Sequence, residues 1–207
     1  GDFPFSFEPA SKITVEKLMA VLRDHYEGTE YDATDGYKLG SPNKTKFRTI
    51  CTASTINSFV ACLNEQKPEP ISALTWLAFG QPDTTIYLPV YSGLETLPPG
   101  AGFGPNYHDY ELLYEQHFNP VEIKAASHQL LSTRVQQFEN LVETNYGQMI
   151  ESVRKNLRPI EEEYLKTSRE LESRLSALHT QDKKAAQKLL ADYELDIFKQ
   201  IIGVYDK

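Results

Sequence analysis

The chain has 207 residues, 40% of them hydrophobic and 24% charged, enough apolar side chain for a buried core. Its formal net charge of -8 gives no electrostatic basis for binding nucleic acid or an anionic membrane. No apolar run reaches the roughly 18 residues of a membrane span. No signal peptide is visible, and the compartment is left unknown, with the cytoplasm as the default.

Residues 14–26 are expected to form the first helix. Thr14 is its cap, Val15, Leu18, Met19, Leu22 and Tyr26 share one face, and Gly28 lies at its end. A polar loop rich in Asp, Gly, Asn and Lys follows from Thr29 to Thr45, long enough to be functional or mobile. Four strands are expected next: Lys46–Ala53, Ile56–Leu63, Ile71–Phe79 and Thr84–Tyr91, all rich in β-branched and aromatic residues. Their short connections predict antiparallel neighbours. Ile71–Phe79 has apolar residues at both parities, as in a strand covered on both faces. Pro89 places the fourth strand at an edge or bulge. Tyr87 and Tyr91 share one parity, Leu88 and Val90 the other, so one pair is expected to face the core; packed tyrosines with bonded hydroxyls are the ordinary outcome.

Leu97–Pro105 is a Pro/Gly loop, and composition changes near Pro120. Eleven of the twelve prolines and nine of the eleven glycines precede residue 121. Residues 1–120 carry a net charge of -7 and residues 121–207 of -1. The expected division is therefore a sheet region, 1–120, and a helical region, 121–207. In the latter, Leu131, Val135, Phe138, Val142, Met149, Val153 and Leu157 form one stripe of a long helix. Pro159 is expected to end or kink it. A sparser stripe, Ile160, Tyr164, Leu171, Leu175 and Leu178, runs through the solvated charges of Glu161–Arg174. Asp182 is placed to cap a last helix carrying Ala186, Leu189, Leu190, Tyr193, Ile197 and Ile201. The fold class expected from this order is α+β: an antiparallel sheet with flanking helices, then long helices.

Several side chains could carry chemistry. Cys51 and Cys62 are too few for a disulfide framework and are expected as buried free thiols. Cys51 with His25 could form a thiolate–imidazolium pair, but the apolar neighbours of Cys51 favour packing. His25 and Glu27, with Arg23 and Asp24, could bind a metal or relay a proton. Without a third ligand they read as a network holding the Thr29–Thr45 loop. His108 and His117, flanking Asp109 and Glu111, read as surface histidines. No metal ligand set is assigned.

Leu22-Arg23-Asp24-His25-Tyr26-Glu27-Gly28-Thr29, Arg48-Thr49-Ile50-Cys51-Thr52, Trp76, Gly80-Gln81-Pro82-Asp83 and Tyr87-Leu88-Pro89-Val90-Tyr91-Ser92-Gly93 occur here in order. Together they resemble the rear half of cysteine dipeptidases of the dipeptidase A type, over roughly residues 13–100. The resemblance implies an N-terminal-nucleophile hydrolase with an αββα fold, in which a terminal cysteine attacks a dipeptide amide and its own α-amine is the base. It implies no metal or organic cofactor. Because the chain begins Gly1-Asp2-Phe3, the nucleophile-bearing front half is expected to be missing, leaving no catalytic residue in this chain and no activity in isolation. Arg48 is the substrate-binding candidate: related amidase folds place an arginine near the nucleophile, where its fork suits a carboxylate. Expected partners are a dipeptide and the front half of the same protein, with a second copy of the chain left open. Secernins share part of the pattern, and the alternative is a secernin-like interaction module with an exposed apolar face on residues 123–157.

Overall fold

The computed structural model describes residues 5–6, 8–95, 98, 101 and 130–205. The division near residue 120, His108, His117, Asp109, Glu111 and most of the 97–105 loop lie outside them. Helix α1 spans Val15–Leu22, and Thr14 caps it by accepting the Lys17 N–H at 3.3 Å. It ends earlier than its apolar spacing suggests: the Arg23 N–H closes the last turn on Ala20 O at 3.1 Å, and Tyr26 turns away at φ 66°.

Strands β1 (Asn57–Leu63), β2 (Ala73–Phe79) and β3 (Leu88–Tyr91) form an antiparallel sheet in the order β1-β2-β3. Val60 faces Trp76, which faces Pro89. Leu74, Trp76 and Ala78 are buried, while the alternate residues of β2 are half-buried. Both Tyr87 and Tyr91 are buried, and so is Leu88. The tyrosine hydroxyls are bonded: Tyr87 Oη lies 2.7 Å from Ser58 Oγ, and Tyr91 Oη donates to Ser168 O at 3.3 Å.

The expected strand Lys46–Ala53 is not one. Its polar groups are already bonded, within the segment and to the chain just after α1, which removes the drive to pair. Thr49 Oγ1 donates to Cys51 O at 2.5 Å, the Cys51 N–H to Asp24 O at 3.1 Å, and the Thr55 N–H to Thr52 O at 3.0 Å. For the same reason β3 starts late: the Thr84 N–H and the Thr84 and Thr85 hydroxyls all bond Gln81 O.

Helices α2 (Leu131–Thr144), α3 (Tyr146–Gln181) and α4 (Lys183–Tyr205) complete the described fold. The expected single stripe is broken at Asn145, whose backbone leaves the helical region at φ -130°, ψ 33°. Just beyond it, Gly147 lies so close to Tyr37 O that a Cβ would clash, so the loop preceding β1 rests on the start of α3. Pro159, expected to end or kink the helix, lies inside α3 on its exposed side. There the carbonyl that loses its partner can bond water. Asp182 caps α4, accepting the Ala185 N–H at 3.0 Å. One apolar cluster runs from Met19 of α1 through Trp76 and Leu88 to Val142, Ile150, Leu190 and Ile201.

Candidate functional site

Two places deserve a chemical reading. The first is a buried junction around Asp83, which ends the Gly80–Asp83 turn and is 1% exposed. Gly80 has φ +71°, and a Cβ there would collide with the Glu139 carboxylate, so the turn requires glycine. Asp83 Oδ1 accepts from Arg154 Nε at 3.0 Å and Nη2 at 2.8 Å; Oδ2 accepts from Tyr146 Oη. Arg158 spends its donors on the carbonyls of Thr85 at 2.8 Å and Asp83 at 2.5 Å. Burial and then the neighbouring Arg23 lower its pKa to about 10.

His25 is packed into this junction between Tyr37 and Tyr146, with ring centroids 6.2 Å away in each case. Its Nε2 is 3.8 Å from Asp83 Oδ2, and neither ring nitrogen has a hydrogen-bond partner. Burial dominates over Asp83 and holds its pKa below the ordinary value, so the imidazole is neutral near pH 7. Glu27 accepts from the His25 N–H at 3.0 Å and from Tyr37 Oη, and lies 3.3 Å from Arg154 Nη2. Arg23 forks onto Glu161 at 2.8 and 2.5 Å. These residues therefore tie the end of α1 and the 29–45 loop to α3. Among the described residues, no cluster of three or more His, Cys, Asp or Glu side chains could hold a metal ion.

Neither thiol in the chain is primed for attack. Cys51 is 1% exposed; burial, then the Asp83 charge, pushes it up to about 12. Cys62 is half-buried and free, with its pKa raised by burial and then by Glu172. A thiol is a good nucleophile only as thiolate, so a Cys51–His25 ion pair does not form here.

The second place is a shallow groove of about 330 Å³ bordered by Asn43, Thr45, Lys46, Arg48, Thr49, Thr52 and Ser54, among others. Arg48 is exposed on it, and among the described residues no hydrogen bond or ion pair engages its guanidinium. Lys46 Nζ sits 4.8 Å from the Phe47 ring centre. Free cationic groups beside hydroxyls can receive a carboxylate.

Sequence patterns do not mark Arg154 or Arg158, mark Asp83 only as the end of the Gly80–Asp83 block, and place Glu161 on a solvated face; Glu161 is instead one of three buried glutamates that bind the 81–91 segment. Glu139 of α2 accepts the Gln81 N–H, Glu161 of α3 the Tyr87 N–H at 2.7 Å, and Glu194 of α4 the Tyr91 N–H at 2.9 Å. A signal existed. Glu139 follows Val135, Glu161 follows Leu157 and Glu194 follows Leu190 by four residues. Each glutamate thus occupies an apolar position of its own helix face.

The sequence profile of peptidase family C69 matches residues 1–149. A probable dipeptidase of Salmonella dublin is 31% identical over 103 residues, 50% of this chain and 23% of that protein. A probable dipeptidase A of Streptococcus pyogenes is 33% identical over 92 residues, 44% of this chain and 19% of that protein. Dipeptidase A of Lactobacillus helveticus is 28% identical over 108 residues, 52% of this chain and 22% of that protein. The matched segment thus spans about a fifth of the length of these relatives.

Proposed function

Because the chain belongs to peptidase family C69, we propose that it is part of a dipeptide-cleaving amide hydrolase whose nucleophile is carried by residues outside these 207. The carrying observation is the state of its thiols: Cys51 is sealed in the core with its pKa pushed up to about 12, and the backbone nitrogens of Cys51 and Cys62 are amides without basicity. In the proposed reaction a terminal cysteine passes its thiol proton to its own α-amine and adds to the substrate carbonyl. The departing amine takes that proton, and water then cleaves the acyl-enzyme. In this reading Arg48 holds the substrate carboxylate in the groove, which accounts for an exposed guanidinium without an acidic partner.

The interaction-module reading calls for an exposed apolar face on residues 123–157. Within 130–157, the described part of that stretch, Leu141 is the exposed large hydrophobic residue, while Leu131, Val135, Val142, Ile150, Val153 and Leu157 are buried. The hydrolase reading is therefore preferred.

The test is dipeptide hydrolysis by the 207-residue chain and by the complete product of the gene encoding it. The chain alone is expected to be inactive. In the active complete product, Cys51→Ser leaves turnover intact, and Arg48→Ala raises KM by about tenfold, the worth of one charge-assisted hydrogen bond. Hydrolysis by the 207-residue chain that disappears with Cys51→Ser would overturn the proposal.

A further inference from the structure

The stretch that carries Arg48 is the basic part of an acidic chain. Residues 36–64 contain four basic side chains, Lys38, Lys44, Lys46 and Arg48, and no acidic one, although the whole chain has a net charge of -8. Two of the four are compensated by acids from outside the stretch. Lys38 Nζ lies 3.2 Å from Asp35 Oδ2, and Lys44 Nζ lies 3.7 Å from Glu143 Oε1. Lys46 and Arg48 are not compensated. Among the described residues neither side chain has an acidic partner or a hydrogen bond, and the Lys46 ammonium rests over the Phe47 ring instead.

Both cations border the same groove of about 330 Å³. Exposure alternates along the segment: Lys44, Lys46 and Arg48 are exposed, with Thr45 and Phe47 half-buried between them. The cations therefore share its outer side. Lys46 and Arg48 are two residues apart, which sets their Cα atoms no more than about 7 Å from each other. Two like charges this close repel unless an anion joins them. The neutral groups of the groove are already engaged. The Thr45 hydroxyl donates to Pro42 O at 3.0 Å, the Thr49 hydroxyl to Cys51 O at 2.5 Å, and the Asn43 amide to Gln81 Oε1 at 2.9 Å. Glu143, which reaches the segment from α2, is occupied by Ser41, Asn43 and Lys44. The free charge of the groove is thus that of Lys46 and Arg48 together.

We propose that the groove selects dipeptides whose C-terminal residue is itself acidic, Arg48 taking the α-carboxylate and Lys46 the side-chain carboxylate. This rests on the hydrolase reading for Arg48 and adds Lys46 as the residue that sets specificity. The division of roles follows from the chemistry of the two cations. A guanidinium is a planar fork, which suits the α-carboxylate common to every dipeptide. An ammonium on a flexible stem is a point charge, which can follow a side chain of variable reach. Because Lys46 is exposed, its effect is that of a screened pair, about fivefold at most and smaller at high salt.

The test compares Ala-Glu with Ala-Gln, which match in size and differ by one charge, as substrates of the complete product of the gene. At low ionic strength kcat/KM is expected to favour Ala-Glu about fivefold, and the ratio to shrink as salt is added. Lys46→Met is expected to bring the ratio to about one. Lys46→Glu is expected to favour Ala-Lys over Ala-Gln, a reversal that a loss of packing cannot produce. Arg48→Ala is expected to weaken both substrates and keep their ratio. Equal kcat/KM for the two substrates in wild type overturns the inference, as does a preference that survives Lys46→Met. An Arg48→Ala protein that handles both substrates as wild type does overturns the division of roles. If the complete product cleaves no dipeptide, the hydrolase reading fails, and NMR titration of the 207-residue chain with the same peptides decides the groove separately. There, Ala-Glu binding that is no tighter than Ala-Gln binding, or that Lys46→Met leaves unchanged, overturns the inference.

Discussion

Asp83 holds its surroundings together because its carboxylate is the common acceptor for Arg154 and Tyr146 and lies within 3.8 Å of both Arg158 and His25. Removing one member of a buried pair leaves the other charged and unsolvated, which costs more than the pair itself contributes. Asp83→Ala is therefore expected to lower stability by about 3 kcal/mol, read as a shift of the urea midpoint at constant slope. His25→Phe, which replaces a neutral buried ring with an apolar one, is expected to cost less than Asp83→Ala in the same assay, since neither ring nitrogen makes a hydrogen bond to lose. This junction was only half legible in the sequence. The Arg23–Glu27 group was recognised as a network at the end of α1 because its members are neighbours. Arg154 and Arg158 are joined to Asp83 only by the tertiary fold, and no local spacing reveals such a pair.

At the scale of elements, the buried glutamates give the helices an unusual dependence on pH. Burial first, opposed by hydrogen bonds to the 81–91 segment, raises both Glu139 and Glu194 from 4.5 to about 7. The folded state then holds protons that the unfolded state releases between these two values. The contribution of each group is thus fully present below pH 4.5 and is lost as pH rises through about 7. Glu194, with its Oε2 buried and unpartnered, is the clearer case. Relative to wild type, Glu194→Gln is expected to be more stable at pH 8 than at pH 5 by roughly 1–3 kcal/mol, measured by denaturant unfolding at the two pH values. Pro159→Ala should stabilise the chain by roughly 1–3 kcal/mol by restoring an interior helix bond, seen as a higher melting temperature. Periodicity found β1, β2 and the three long helices because each has a face that repeats. It failed where local side-chain bonds override propensity, as at Thr49 and Thr52, and where one residue decides, as at Asn145 and Pro159. For Pro159, exposure matters more than the ring: on a solvent face the orphaned carbonyl is hydrated and the helix continues.

At the scale of the whole molecule, the sheet and the helices depend on one another. Glu161 and Glu194 satisfy the outer edge of β3, Arg154 neutralises Asp83, and Lys67 meets Glu172 at 2.5 Å. The family match stops at residue 149, yet all of these partners on the helices lie beyond it. A chain ending at residue 120 is therefore expected to show no cooperative unfolding transition by calorimetry, whereas the 207-residue chain shows one. The α+β class and the change of character towards the C-terminus were readable from proline, glycine and charge. The interlock was not, because it depends on single acidic residues set into apolar stripes. The sealing of β3 also bounds where a strand can be added. An edge whose outward donors are taken or missing offers nothing for another chain to pair with. Pro89 and the two acids beside it thereby close that side of the sheet to extension, and removing either acid would leave a buried backbone N–H without its acceptor.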